Sequence, residues 1–408
     1  MFTMVPRAAS SAARRGGRIR LCHVTATLAG GGLEERIARI TRAMDPGKFE
    51  VTWVGLGRPE NDLPNRVGGR TRVISVPKRK SGVEPQLVLR LAAQLARIRP
   101  DVVHVHNWSA SLYGIVAARL AGTPVVLYGE GGRDDPRGPS KRRRAVMRAL
   151  APHVDHFTSV CDFLGGELRR DWNVPAAAVT TLRTGVDAPA HPVSREALRQ
   201  RFHLPASARI AVVSAGRFRA VKQLDALVAA FARIAPRFPD AALLLLGDPL
   251  GTGAALEAAA GREHPWLRVG GHQQDVTALL PACDLALNTS RFEGASNGVL
   301  EAMAAGLPVL ATAVGGTPEL VQDGVTGRLL PADPGPAWEE ALAAAFGDPE
   351  RTAHWGRAGQ ARAQTQFSGT QMVNAYASLY EAAAEWVPPG FLPRAFLGCA
   401  RSALAIAS

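Results

Sequence analysis

A short apolar run, a turn of small residues and a helical pattern follow one another along this chain, and the series restarts past its midpoint. Strand-like runs stand at Ile19 to Thr25, Val51 to Val54, Val73 to Val76, Val102 to Val105 and Val125 to Tyr128. The first leads through Gly30-Gly31-Gly32 into a helix whose apolar side carries Ile37, Ile40 and Met44, and Leu87 to Ile98 reads as another helix. After a polar, proline-containing stretch from Asp187 to Pro192, strands at Ile210 to Ser214, Leu243 to Leu246, Leu285 to Asn288 and Val309 to Thr312 alternate with helices at Leu224 to Ile234 and Val299 to Ala304. Near-continuous apolar strands separated by helices specify parallel sheets covered on both faces. Two such series predict two doubly wound α/β domains, each binding its ligand at the C-terminal ends of its strands. A last helix from Thr370 to Ala384 has Met372, Tyr376, Leu379 and Tyr380 as its apolar side.

The bulk properties agree. A chain of 408 residues exceeds what one core usually supports, and 47% hydrophobic against 20% charged residues is the balance of a folded protein. Cys22, Cys161, Cys283 and Cys399 are scattered without a C-x-x-C, which suggests neither a disulfide framework nor a zinc site and fits a cytoplasmic location. No run of about 18 apolar residues offers a membrane span, and the N-terminus lacks the apolar core of a signal peptide. Residues 1–17 read as a disordered basic extension. The net charge of +13 is one-sided: residues 1–190 hold 30 Lys and Arg against 16 Asp and Glu, residues 191–408 hold 18 against 19. Such a field attracts nucleic acid, anionic lipid or an acidic substrate. The run Lys141-Arg142-Arg143-Arg144 has no aromatic neighbour in sequence for base stacking, so no nucleic-acid partner is expected. An anionic membrane surface, with peripheral attachment to the inner face of the cell membrane, is the expectation retained.

The most informative stretch runs from Phe292 to Ala304, where a strand ends, a small-residue loop follows and a helix starts near Asn297. Free N–H groups at such a helix start bind phosphate. Glu293 in the loop and Glu301 in the second helical turn can flank a bound anion and accept hydrogen bonds from sugar and ribose hydroxyls. Taken alone, two glutamates eight residues apart read better as solvent-facing acids favoured by the helix dipole. The surrounding sequence decides: Gly306-Leu307-Pro308-Val309, Val314-Gly315-Gly316 and Glu319 to Gly327 follow, Gly216-Arg217 and Val221-Lys222 precede, and Thr184-Gly185-Val186-Asp187 and Gly31-Gly32-Leu33-Glu34-Arg36 lie earlier.

Together these segments, spread over Arg18 to Tyr380, resemble glycosyltransferase family 4 with its E-x7-E motif. Gln223 stands where the family's G-R-x(n)-K-G segment has its second glycine, and Thr184 where its N-G-V-D has asparagine. The resemblance implies a GT-B fold of two Rossmann-like domains facing across a cleft: an acceptor domain at 18–188 joined by the helix at 370–384, a nucleotide-sugar domain at 189–369, and a tail at 385–408. It implies a hexosyltransferase-type enzyme that moves a sugar from a nucleoside diphosphate sugar, with retention, to a lipid-linked or polysaccharide acceptor. By the same resemblance Arg217 and Lys222 neutralise the departing diphosphate and Glu293 orients the donor sugar. Glu301 holds the ribose, the N–H groups of Asn297, Gly298 and Val299 hold phosphate, and Gly31 and Gly32 belong to the donor side. No Asp-x-Asp is present, so no metal and no other cofactor is expected.

On the acceptor side, His104 and His106 stand two residues apart on one strand face with no third metal ligand nearby in sequence, and His106 is taken as an acceptor-side contact. Tyr128-Gly129-Glu130-Gly131-Gly132-Arg133-Asp134 resembles the T-E-H-G-R-D segment of bacterial exopolysaccharide transferases of the PEP-CTERM/EpsH-associated type, with Gly131 at the histidine position and Glu130 as a candidate replacement contact. The competing readings are a nucleotide-sugar epimerase of the same fold and a degenerate protein that binds nucleotide sugar without turnover. A sugar phosphorylase would need a lysine for pyridoxal phosphate, and Lys222 is already assigned; a nicotinamide dehydrogenase would need a G-x-G-x-x-G, which Gly30-Gly31-Gly32 does not supply.

Overall fold

The computed structural model describes residues 17–59, 67–133, 135, 137–253, 256 and 266–386. The expected basic extension before Gly17, the tail beyond Trp386, Asp134 and Cys399 lie outside the described residues. The chain divides into two compact units of discontinuous composition: one runs to Gly132 and contains Pro139–Leu182 and the chain from Met372, the other contains Arg133–Gly138 and Arg183–Gln371.

The first unit is built on a seven-stranded parallel sheet in the order β3-β2-β1-β4-β5-β6-β7. Its strands are β1 (Ile19–Thr25), β2 (Phe49–Gly55), β3 (Arg72–Ser75), β4 (Val102–His106), β5 (Val125–Glu130), β6 (His156–Ser159) and β7 (Val179–Thr181). Helices α1 (Gly32–Ala43), α2 (Pro85–Ile98), α3 (Asn107–Leu120), α4 (Lys141–Leu150) and α5 (Asp162–Trp172) connect them. The order reverses between β1 and β4, the switch point at which doubly wound sheets open a ligand crevice. One sheet face packs Val24, Val103, Val105 and Tyr128 against the buried sides of α2 and α3; the other packs Ile19, Leu21 and Val102 with Ile40 of α1.

The second unit has six parallel strands in the order β10-β9-β8-β11-β12-β13, again reversing beside its first strand. They are β8 (Arg209–Arg217), β9 (Ala241–Asp248), β10 (Leu267–Gly271), β11 (Leu285–Asn288), β12 (Val309–Thr312) and β13 (Gly327–Leu330). Around them lie α6 (Arg195–Arg201), α7 (Leu224–Ile234), α8 (Asn297–Ala304), α9 (Thr317–Leu320), α10 (Pro336–Gly347) and α11 (Pro349–Gln366). Leu243 to Leu246 are fully buried and alternate between the cores on the two faces.

The last helix among the described residues, α12 (Gly369–Glu385), begins in the second unit and belongs to the first from Met372 onward. Its Met372, Tyr376, Leu379, Tyr380 and Ala383 are buried against Ile19, Leu21, Phe49 and Leu127 of the first sheet and Met44 at the end of α1. Among the described residues no helix is long and apolar enough to cross a membrane.

Candidate functional site

In the second unit the predicted site residues converge where β8 and β11 end. Lys222 sits in a short 3-10 turn after β8, and its ammonium donates to Glu293 Oε1 at 2.6 Å. The same carboxylate oxygen accepts from Ser290 Oγ at 2.7 Å and from Asn288 Nδ2 at 3.3 Å. Burial raises the Glu293 carboxyl, yet the charge and hydrogen bond of Lys222 with the donors on Ser290 and Asn288 outweigh it, so the group is held ionised below its ordinary value. The loop that presents Glu293 is fixed from behind by Gly315 and Gly316. Gly316 N–H donates to Glu293 carbonyl oxygen at 3.2 Å. Gly315 has φ +53°, and a Cβ there would stand 1.8 Å from that oxygen, which no side chain tolerates.

Ser296 caps α8: its Oγ accepts from Val299 N–H at 3.4 Å and from Asn288 Nδ2 at 2.9 Å, and its carbonyl accepts from Leu300 N–H. This corrects the expectation for Val299, whose N–H is turned to Ser296; the amides of Asn297 and Gly298 precede it in the first turn. Glu301 lies half-buried in the second turn of α8, and Arg217 is the last residue of β8, paired in register with Asp248.

Gln223, in the place of a family glycine, keeps the left-handed backbone that glycine favours, φ +51° and ψ 39°. Its amide donates to the carbonyls of Thr289 (2.9 Å) and Ala332 (3.0 Å), while Thr289 Oγ1 donates to Lys222 carbonyl oxygen and Arg291 N–H to that of Val221. The lysine turn is thereby laced to the end of β11.

In the first unit the glycine turn is occupied by a carboxylate. Gly31 opens α1 in extended backbone, a Cβ on it would stand 2.6 Å from Glu34 Oε2, and Glu34 Oε1 accepts from Thr27 Oγ1. A third histidine, remote in sequence, joins the two, because the β1–β4 register places His23 directly across from His104. His23, His104 and His106 are buried together with their ligand atoms within 4.8 Å of one another. His23 Nδ1 lies 2.9 Å from His106 Nε2, and the two nitrogens of His104 are engaged by Tyr380 OH (2.8 Å) and Thr158 Oγ1 (3.1 Å). Burial pushes His23 down to about 3; burial, the neighbouring histidines and Arg36 hold His104 and His106 well below the ordinary histidine range. His23 Nε2 is buried without a partner. An orphaned lone pair costs less than an orphaned N–H, so the proton of His23 belongs on Nδ1, donated to His106 Nε2. The pattern is a hydrogen-bonded cluster whose His104 nitrogens are already engaged by hydroxyls. The signal missed in the sequence was His23 at the centre of a strand, visible only once the register is known.

Glu130 ends β5 nearly buried, with Oε2 accepting from Tyr128 OH at 2.7 Å and Oε1 from Gly132 N–H at 3.3 Å. The basic run gains an aromatic neighbour that its sequence does not show: the Arg143 guanidinium lies 4.7 Å from the centre of the Trp108 ring.

Residues 30–189 match the family model described as Glycosyltransferase Family 4, and residues 209–348 the model described as Glycosyl transferases group 1. A D-inositol 3-phosphate glycosyltransferase of Arthrobacter is 28% identical over 371 residues, covering 82% of this chain and 86% of the relative. A glycogen synthase of Mycobacterium tuberculosis is 27% identical over 296 residues, 70% of this chain and 69% of the relative. Among solved structures, a glycosyltransferase of Rickettsia africae superimposes with a TM-score of 0.76 at 16% identity over 90% of this chain and 98% of its own. Anabaena HepE, solved with UDP and glucose, does so with a TM-score of 0.77 at 20% identity over 90% of this chain and 100% of its own. With a family model on each unit and two parallel α/β sheets of the GT-B type, this chain belongs to the glycosyltransferases of family 4.

Proposed function

We propose that this glycosyltransferase takes its sugar from a nucleoside diphosphate donor held in the second unit and transfers it, with retention, to a lipid-linked or polysaccharide acceptor bound by the first. The observation that carries the donor assignment is the Lys222–Glu293 pair, set in a hydrogen-bonded frame beside the capped start of α8. When the bond from the anomeric carbon to the diphosphate breaks, negative charge collects on the leaving oxygens. Lys222, Arg217 and the first-turn amides of α8 are preorganised donors for that charge. This reading needs no metal or other cofactor. Glu301 holds the ribose, and Glu293, kept ionised by Lys222, accepts from sugar hydroxyls. Anabaena HepE, bound to UDP-glucose in its own structure, supports a nucleotide sugar as the donor class. The sequence segment Tyr128 to Asp134 favours exopolysaccharide assembly as the setting.

Calorimetric titration with a panel of nucleotide sugars tests the reading. Glu301→Ala should weaken the best donor by about 1.5–3 kcal/mol, the scale of hydrogen bonds to a charged group, with acceptor affinity preserved. Turnover should persist in chelator. Unchanged donor affinity removes Glu301 from the site, and activity abolished by chelator and restored by manganese or magnesium ends the metal-free reading.

A further inference from the structure

Arg36 on α1 is 6% exposed, yet no carboxylate and no hydrogen-bond acceptor pairs with its guanidinium among the described residues, and its Nε is fully buried without a partner. Its nearest electrostatic neighbours do not compensate it: His104, His106, Tyr376 and Tyr380 all feel its charge, and burial keeps all four neutral. A buried cation with no counter-charge is strongly unfavourable, so a fold that keeps one gains from an anion that reaches it. The position of the guanidinium says where. A Cβ on Gly131 would stand 2.8 Å from Arg36 Nη2, 3.5 Å from Nη1 and 3.4 Å from Asn107 Oδ1, and that same Asn107 oxygen accepts Gly131 N–H at 2.7 Å. The glycine that replaces a histidine in the T-E-H-G-R-D-like segment therefore leaves its space to an arginine from another element.

We propose that Arg36, seated over Gly131 at the C-terminal ends of β4 and β5, forms a subsite for an oxyanion carried by the acceptor, a carboxylate or a phosphate. The planar guanidinium fork matches either group with two parallel hydrogen bonds. The positive balance of residues 1–190 draws such a substrate toward this unit. The subsite rests on the reading of the first unit as the acceptor side.

The full chain is titrated with inorganic phosphate and with D-glucuronate, against glucose and sodium chloride of equal ionic strength, following Tm and the 15N–1H resonance of Arg36 Nε. Phosphate and glucuronate should raise Tm and shift that resonance, whereas glucose and chloride should not. Arg36→Met, which keeps the length of the side chain, should raise Tm without anion and abolish the glucuronate response. Arg36→Lys should retain part of it, and Gly131→His, which crowds the guanidinium, should weaken it at least tenfold. For a carboxylate-bearing acceptor, Arg36→Met should raise KM at least tenfold. A Tm lowered by Arg36→Met would mean that the chain itself supplies a counter-charge, and together with a glucuronate response that survives the substitution it overturns the subsite. If the response requires Arg36 but KM rises for the donor instead of the acceptor, the anion subsite stands and the acceptor reading of the unit fails.

Discussion

Gln223 shows how one residue can depart from a family pattern and keep its geometry. A non-glycine residue in the left-handed region costs about 1 kcal/mol, and here the side chain offsets that cost through hydrogen bonds to Thr289 and Ala332 on segments remote in sequence. Gln223→Ala keeps the strained backbone and strands two carbonyls, so the second unit should lose about 2–4 kcal/mol. Gln223→Gly should lose about 1 kcal/mol less, because glycine relieves the strain. Urea unfolding of both variants checks the order, and glycine proving the worse would show that the side-chain hydrogen bonds are not what holds the turn. At this scale the sequence was legible wherever chemistry and position coincide: Lys222 and Glu293 were both named from their surroundings, and they meet at 2.6 Å. It was not legible where a residue acts through a neighbour from another element. Arg36 of α1 fills the place of a side chain at Gly131, a pairing that leaves no mark on the linear pattern.

At the scale of elements, β1, β8, β11 and β12 were readable because central parallel strands are apolar on both faces. The strands without a clear sequence signal are β6 with its His156 and Thr158, the three-residue β7, β10 and β13, all of which lie at or beside a sheet edge where polar residues and glycine are tolerated. The histidine cluster joins β1 and β4, and its chemistry gives the first unit a pH dependence. Because His23, His104 and His106 have folded-state pKa values below the unfolded value near 6.5, the unfolded chain takes up their protons first. Stability therefore falls as pH drops below about 6.5, by about 1.4 kcal/mol per pH unit for each histidine, and the loss continues toward about 3 for His23. Thermal melts between pH 7.5 and pH 5, as about half-unit steps, should show this slope, and His23→Leu should make it shallower by one proton; an unchanged slope would mean that His23 does not contribute. Helix α4 carries a separate expectation. Arg143 stacks on Trp108 and Arg144 pairs with Asp171 at 3.2 Å, so the cations turned outward are Lys141, Arg142 and Arg148. Co-sedimentation with liposomes should require anionic lipid, weaken with salt and weaken when these three become Glu. Equal binding to neutral and anionic vesicles would argue against electrostatic docking.

On the scale of the whole molecule, the first unit takes in a helix, α12, that follows the whole second unit in sequence. Val186 and Ser368 form a parallel bridge in the second unit, with Val186 N–H donating to Phe367 carbonyl oxygen at 2.8 Å, so the outgoing and returning strands of chain run side by side. Beyond that point Met372, Tyr376, Leu379, Tyr380 and Ala383 complete a core begun at Ile19. A chain ending at Gln371 should keep a cooperative unfolding transition for the second unit and lose that of the first, as followed by hydrogen exchange; protection retained in β1 and β4 would show that α12 is dispensable. The same connectivity sets an order on synthesis. A ribosome that has finished the first sheet has yet to make the residues that cover it, and the whole second unit must emerge in between. The second unit can close while the first still shows an apolar face, so the newborn protein is most exposed to chaperones and to aggregation at its first sheet until α12 leaves the exit tunnel.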